Sequence, residues 1–168
     1  GGRLQLFETQ PRTNLAAAAS STLWQRLLMA ALVNHPGLID EFGEALIDIN
    51  LETNLDKLRA ELHVILAANP DLDVLALHSH LNDSGFADIM SHVLERSVLE
   101  HGTFARSDAP LEAAREGVCR ILGEFQRQRQ IADLRAFGRE AARDGTDERY
   151  ARFLQRGVIV RESAEAED

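Results

Sequence analysis

Two groups of histidine and aspartate residues have the residue types of a metal site. His78 and His80 flank a serine and precede Asp83, while Asp88 and His92 are four residues apart. Residues two apart on a helix point in nearly opposite directions, so His78 and His80 cannot readily bind one ion. Asp88 and His92 are typical of a pair on a helix surface. We therefore expect no metal and no cofactor, and a metal-dependent helical hydrolase using His78, His80 and Asp83 is the least favoured alternative.

Motifs for nucleophilic catalysis are absent from the sequence. Ser84 precedes Gly85 at a predicted helix start, and Cys119 has no nearby basic partner that would activate its thiol. A single cysteine also excludes an internal disulfide. Its apolar neighbours predict that Cys119 is a small core residue. We expect no enzyme activity from this chain.

The composition excludes several classes of partner. A formal net charge of −9 disfavours a nucleic-acid-binding surface, because phosphate neutralisation needs clustered Lys and Arg. No apolar run approaches the roughly 20 residues that cross a bilayer. The first residues also lack a basic stretch followed by an apolar one. These features predict a cytoplasmic protein that binds neither membranes nor, strongly, nucleic acid.

The pattern of apolar residues predicts an all-α fold. Hydrophobic residues make up 45% of the chain but aromatic residues only 5%, so the core is aliphatic, and no segment alternates like a strand. We predict a helical bundle followed by a C-terminal helical hairpin built on one long helix. The predicted domains are a linker (1–20), the bundle (21–126), the hairpin (127–157) and an acidic tail (158–168). The predicted helices lie at about 16–34, 36–46, 51–68, 71–81, 86–100, 110–145 and 146–156.

The predicted long helix, 110–145, changes its apolar side halfway along. One apolar stripe ends at Phe125, and the next begins at Ile131 on a face rotated by roughly half a turn. The polar run 126–130 separates them. Only the short segment 146–156 follows to cover the second stripe, and it is too small to bury that stripe completely. Residual apolar surface of this kind is typical of a docking site.

Three motifs, in their order and spacing, give the chain a family resemblance. They are LLMAAL at residues 27–32, HPGL at 35–38, and GTDERY at 145–150, where the long penultimate helix turns into the last one. Over about residues 22–157 the chain resembles the C-terminal, helicase-binding domain of bacterial DNA primase. It departs from that pattern in its long acidic tail.

The resemblance implies a function in DNA replication. Such a domain docks on the N-terminal region of the hexameric replicative helicase, places primase at the fork and modulates both enzymes. The parent protein would be a nucleotidyltransferase whose catalytic parts lie outside this chain. A second hypothesis is the helicase's own N-terminal oligomerisation collar, disfavoured on the expectation that such a domain continues into a linker and a motor. The expected partner-binding residues are Ile131, Leu134, Phe137, Tyr150, Phe153 and Leu154 as seam and anchor, with Arg135, Arg152 and Arg156 as the polar rim.

Overall fold

A computed structural model describes residues 10–144 and 151–156, and the side chains of residues 20–143 and 151–156. Within this part of the chain all regular structure is helical and no strand occurs, which confirms the predicted all-α class. The helices are α1 (Gln10–Asn34), α2 (Gly37–Ile47), α3 (Thr53–Ala68), α4 (Val74–Leu81), α5 (Ala87–Val93), α6 (Arg96–His101), α7 (Leu111–Asp144) and α8 (residues 151–156). A π-helical turn spans Asn82–Phe86 and a 3-10 turn spans Thr103–Ala105.

The chain divides into two units, Gly1–Leu122 and Gly123–Asp168. Helix α7 contributes its first part to one unit and its second part to the other. The division lies about one helical turn before the boundary at residue 126 that the change of apolar side suggests. Residues 1–9 of the predicted linker, and the predicted acidic tail 158–168, lie outside the described residues.

Helix α1 is the centre of the first unit. Residues 27–33 are seven consecutive side chains that are each 4% exposed or less. A helix that is apolar on every side must be surrounded by other elements. Helices α2 to α6 and the 3-10 turn all contact α1 and supply that cover.

Two polar side chains join the end of α1 to the turn that follows α6. Asn34, which is buried, donates from Nδ2 to the carbonyl oxygen of Ala105 at 2.8 Å. His35 donates from Nε2 to the carbonyl oxygen of Arg106 at 2.9 Å. Ala105 is fully buried, where an unmade hydrogen bond is costly, whereas the carbonyl oxygen of Arg106 also accepts from the backbone N–H of Ala109 at 3.1 Å.

Two arginines fasten α2 to its neighbours. Arg59 of α3 donates from Nη1 to the carbonyl oxygens of Leu46 and, at 3.1 Å, of Ile49, so it satisfies groups at the carboxyl end of α2. Arg115 of α7 donates from Nε to Glu41 at 2.8 Å. This hydrogen bond is the main reason that the pKa of Arg115 is raised.

The predicted helix 86–100 is two helices in the structure. Leu94 ends α5, and Glu95 has the extended φ/ψ of −57° and 136° before α6 begins. Val93 and Val98 are both buried, although five residues separate them. A continuous helix would point them about 140° apart, so the break restores Val98 to the core side.

Three other predictions differ from the structure. Helix α1 begins at Gln10 within the segment predicted as linker, because the alanine-rich stretch after residue 15 favours helix. The apolar spacing of the second helix predicts that Ile47 points inward, but Ile47 is 72% exposed, and the buried residue is the adjacent Leu46. Cys119 is exposed rather than buried, because it is rotated by about 100° from Val118, which faces the core.

A glycine on α7 gives the first testable prediction. A Cβ at Gly117 would lie 2.1 Å from Cδ2 of Phe104, whereas a Cβ at Gly123 would meet nothing within 4 Å. We expect Gly117→Ala to lower the free energy of unfolding by about 1–3 kcal/mol, through overpacking against the Phe104 ring. The control Gly123→Ala should raise it by about 0.5–1 kcal/mol, the ordinary gain for a helix interior.

Urea unfolding followed by circular dichroism measures both changes. Equal stability of the two variants would mean that the ring of Phe104 does not pack on Gly117.

Candidate protein-docking hairpin

The second part of α7 and the short helix α8 pack together through two aromatic rings. The ring centroids of Phe137 and Phe153 are 6.4 Å apart, and the ring planes are inclined by 23°. This is an offset stack, an arrangement that stabilises beyond the area it buries. The predicted hairpin seam therefore contains the two phenylalanines that the sequence analysis assigned to it.

Gly138 lets the two helices approach closely. A Cβ at this position would lie 2.9 Å from Cε2 and 3.1 Å from Cζ of Phe153. Ala141, one turn further along α7, is buried. Gly138 is not among the residues predicted from the sequence, although a glycine inside a long helix is a signal, because it destabilises the helix unless a neighbour needs the space.

Arg156, which the sequence placed at the polar rim of the interface, also contacts the seam. Its Cζ atom lies 5.5 Å from the centroid of the Phe137 ring, within the range of a cation–π contact. The ring of Phe137 thus has Phe153 and Arg156 as partners. Arg156 both stabilises the hairpin and keeps its charge at the surface, where a partner could meet it.

The remaining site residues divide into half-buried, exposed and undescribed ones. Leu134 is half-buried, whereas Ile131 is 41% exposed and Leu154 is 51% exposed. Arg135 and Arg152 are exposed. Tyr150 lies outside the described residues. The structure brings Phe137, Phe153 and Arg156 together, and it leaves the side chains of Ile131 and Leu154 open to a partner.

The second part of α7 carries more basic than acidic side chains. Residues 123–143 contain five arginines against three acidic residues. Arg127 forms an ion pair with Glu124, with Nη2 and Oε2 3.4 Å apart. All five arginines are exposed. Their surface can therefore present positive charge next to the open apolar side chains.

Two histidines of the candidate metal groups contact backbone oxygens instead. His78 lies with Nε2 3.3 Å from the carbonyl oxygen of Val33, and His92 donates from Nδ1 to the backbone oxygen of Asp88 at 2.8 Å. Among the described residues, no group of three or more His, Cys, Asp or Glu side chains could hold a metal ion. The hydrolase alternative therefore has no set of ligands in this part of the chain.

The first unit also contains a cavity. It has a volume of about 180 Å³, and its lining includes the apolar side chain of Leu55. Arg26, Glu52, Asp88 and His92 stand around it. Because groups of opposite charge share the rim, the cavity does not select one charge of ligand, and we assign it no function.

Comparison with protein-family models, with curated proteins and with solved structures gives no match to this chain. The described residues contain no helix long and apolar enough to cross a membrane.

The seam gives the second testable prediction. We expect Gly138→Leu to push Phe153 away from α7, since even a Cβ there would lie 2.9 Å from the ring. Backbone amides of residues 151–156 should then exchange with solvent at least about tenfold faster, as expected when a local unit opens more readily. Hydrogen exchange with mass spectrometry measures this change.

The matched control is Ala136→Leu, which places the same side chain on an exposed position of the same helix. It should leave the exchange rate unchanged. If both variants exchange alike, α8 is not held by the Gly138 contact.

Proposed function

We propose that this chain is a protein-docking domain, and specifically the helicase-binding domain of a bacterial DNA primase. The docking proposal rests on the exposure of two apolar side chains of the hairpin, Ile131 and Leu154. They lie on helices whose relative position is set by the stack of Phe137 on Phe153. Apolar side chains on a preorganised support are the usual anchors of a protein interface.

The chemistry of the hairpin fits a protein partner. A hairpin of about 30 residues buries too little apolar surface to cover its own seam fully, so a partner gains by covering the rest. Exposed arginines beside the apolar side chains supply the polar rim that such interfaces have. Arg135 and Arg152 are exposed and can take this role.

The resemblance in motif order supports the identity of the partner. In the primase family, the domain that this chain resembles docks on the N-terminal region of the hexameric replicative helicase. On this proposal the chain recruits primase to the replication fork and modulates the activity of both enzymes. Its own residues contribute binding, and the chemistry of primer synthesis belongs to other parts of the parent protein.

The third testable prediction compares two exposed leucines. We expect Leu154→Ala to weaken binding to the N-terminal region of the replicative helicase by about 2 kcal/mol, the loss typical of a hot-spot residue. Leu75→Ala, at a side chain 82% exposed on the first unit, should leave the affinity unchanged. Isothermal titration calorimetry with the two variants and the parent chain measures both affinities.

Two results would contradict the proposal. Absence of helicase binding by the parent chain would remove the assigned partner. Equal losses in the two leucine variants would mean that docking does not depend on the hairpin. Assembly of the chain alone into a stable ring of six would instead favour the helicase collar.

A further inference from the structure

Helix α7 carries a row of like charges in the second unit. Arg135, Arg139 and Arg143 follow each other at intervals of four residues and are all exposed. Residues at this spacing lie on one side of a helix, about 6 Å apart along its axis. Like charges so arranged repel each other and destabilise the helix slightly.

At a distance of three or four positions on its own helix, the row has one acidic neighbour, Glu140, which lies three residues before Arg143. Positions three residues from Arg139 are Ala136 and Ala142, and the positions four away are the other two arginines. Among the described residues, none of the three arginines forms an ion pair. The row is therefore a positively charged surface bordered by small side chains that would let another helix approach.

Helix α2, in the first unit, carries a row of the opposite charge with the same spacing. Asp40 and Glu44 are exposed and four residues apart. Asp48, four residues further, is the C-cap and keeps helical φ/ψ values of −77° and −5°. The exposed side chain of Ile47 stands beside this row. Asp48 already interacts within its own chain, so Asp40 and Glu44 are the charges that this row can offer to a partner. They are about 6 Å apart along the helix axis, the same repeat as in the arginine row.

The overall charges of the two parts of the chain are also unequal. Residues 1–122 carry nine basic and seventeen acidic side chains, whereas residues 123–156 carry eight and six. The arginine row attracts an acidic partner, and the first unit of another copy is acidic. The net charge of −9 disfavours nucleic acid as the partner of this row.

We propose that a second copy of the chain is a partner of the arginine row. Asp40 and Glu44 on α2 of one copy pair with the arginine row on α7 of the other, and Ile47 adds apolar contact at the edge. This contact is heterologous, since it joins different surfaces of the two copies. Exposed ion pairs are individually weak, so the association is weak and strongly reduced by salt. The inference goes beyond helicase docking and does not depend on it.

A charge exchange between copies tests the proposal. One variant carries Arg135→Glu and Arg139→Glu, and the other carries Asp40→Lys and Glu44→Lys, all at exposed positions of the full chain. Sedimentation equilibrium at about 0.05 M salt and at about 1 M salt, where the Debye length is about 3 Å, measures association. Circular dichroism verifies that each variant is folded.

We expect the parent chain to associate at low salt and to lose at least about tenfold in association constant at high salt. Each variant alone should lose association, because it presents two rows of the same sign. Mixing the two variants should restore it, since each then offers the row that the other needs. Arg96→Glu, at an exposed arginine of α6 outside both rows, is the control that should behave as the parent.

Three results would overturn the proposal. They are a parent chain that stays monomeric at low salt, folded variants whose mixture does not associate, and association that the Arg96→Glu control loses equally. Helicase binding is measured separately by calorimetry, so failure of either proposal leaves the other standing.

Discussion

The first unit depends on one constraint, which is that the middle of α1 has no polar side. Residues 27–33 are buried on every face, so no part of this segment can border solvent. Each surrounding helix covers one sector of this central cylinder. At its carboxyl end, Asn34 and His35 reach the carbonyls after α6.

The second unit is stabilised by different means. Its described residues contain no central apolar helix, and its seam includes two phenylalanine rings, an arginine over one ring, and a glycine that makes room for the other. Such a seam fixes the position of α8 against α7 while covering only part of the apolar surface. Structural order and unsatisfied apolar area thus occur together, and that combination is what a docking element requires.

The sequence predicted those features that depend on the repeat of apolar residues. The all-α class and the two seam phenylalanines all follow from spacing along a helix. The prediction from sequence failed where packing decides which side of a helix is buried or where a helix ends. The break at Glu95 depends on burying Val98, and the exposure of Ile47 and Cys119 depends on which neighbours α2 and α7 meet.

The role of Gly138 shows a different limit of sequence reasoning. Gly138 matters because it has no side chain next to the ring of Phe153, which is 15 residues away in the chain. The spacing of apolar residues does not indicate where a side chain has to be missing. The resemblance to a helicase-binding domain rests likewise on order and spacing. These indicate a function without identifying the contacts that perform it.

The link between Asn34 and Ala105 has a consequence for how the chain folds as it is made. The two residues are 71 positions apart, so α1 leaves the ribosome before the last of the elements that cover it exist. At translation rates of about 5–20 residues per second, that delay is roughly 4 to 14 seconds. During this interval the apolar middle of α1 is only partly covered, and it is accessible to chaperones and to other nascent chains. The order of the elements along the chain thus makes the beginning of the domain its most aggregation-prone part during synthesis.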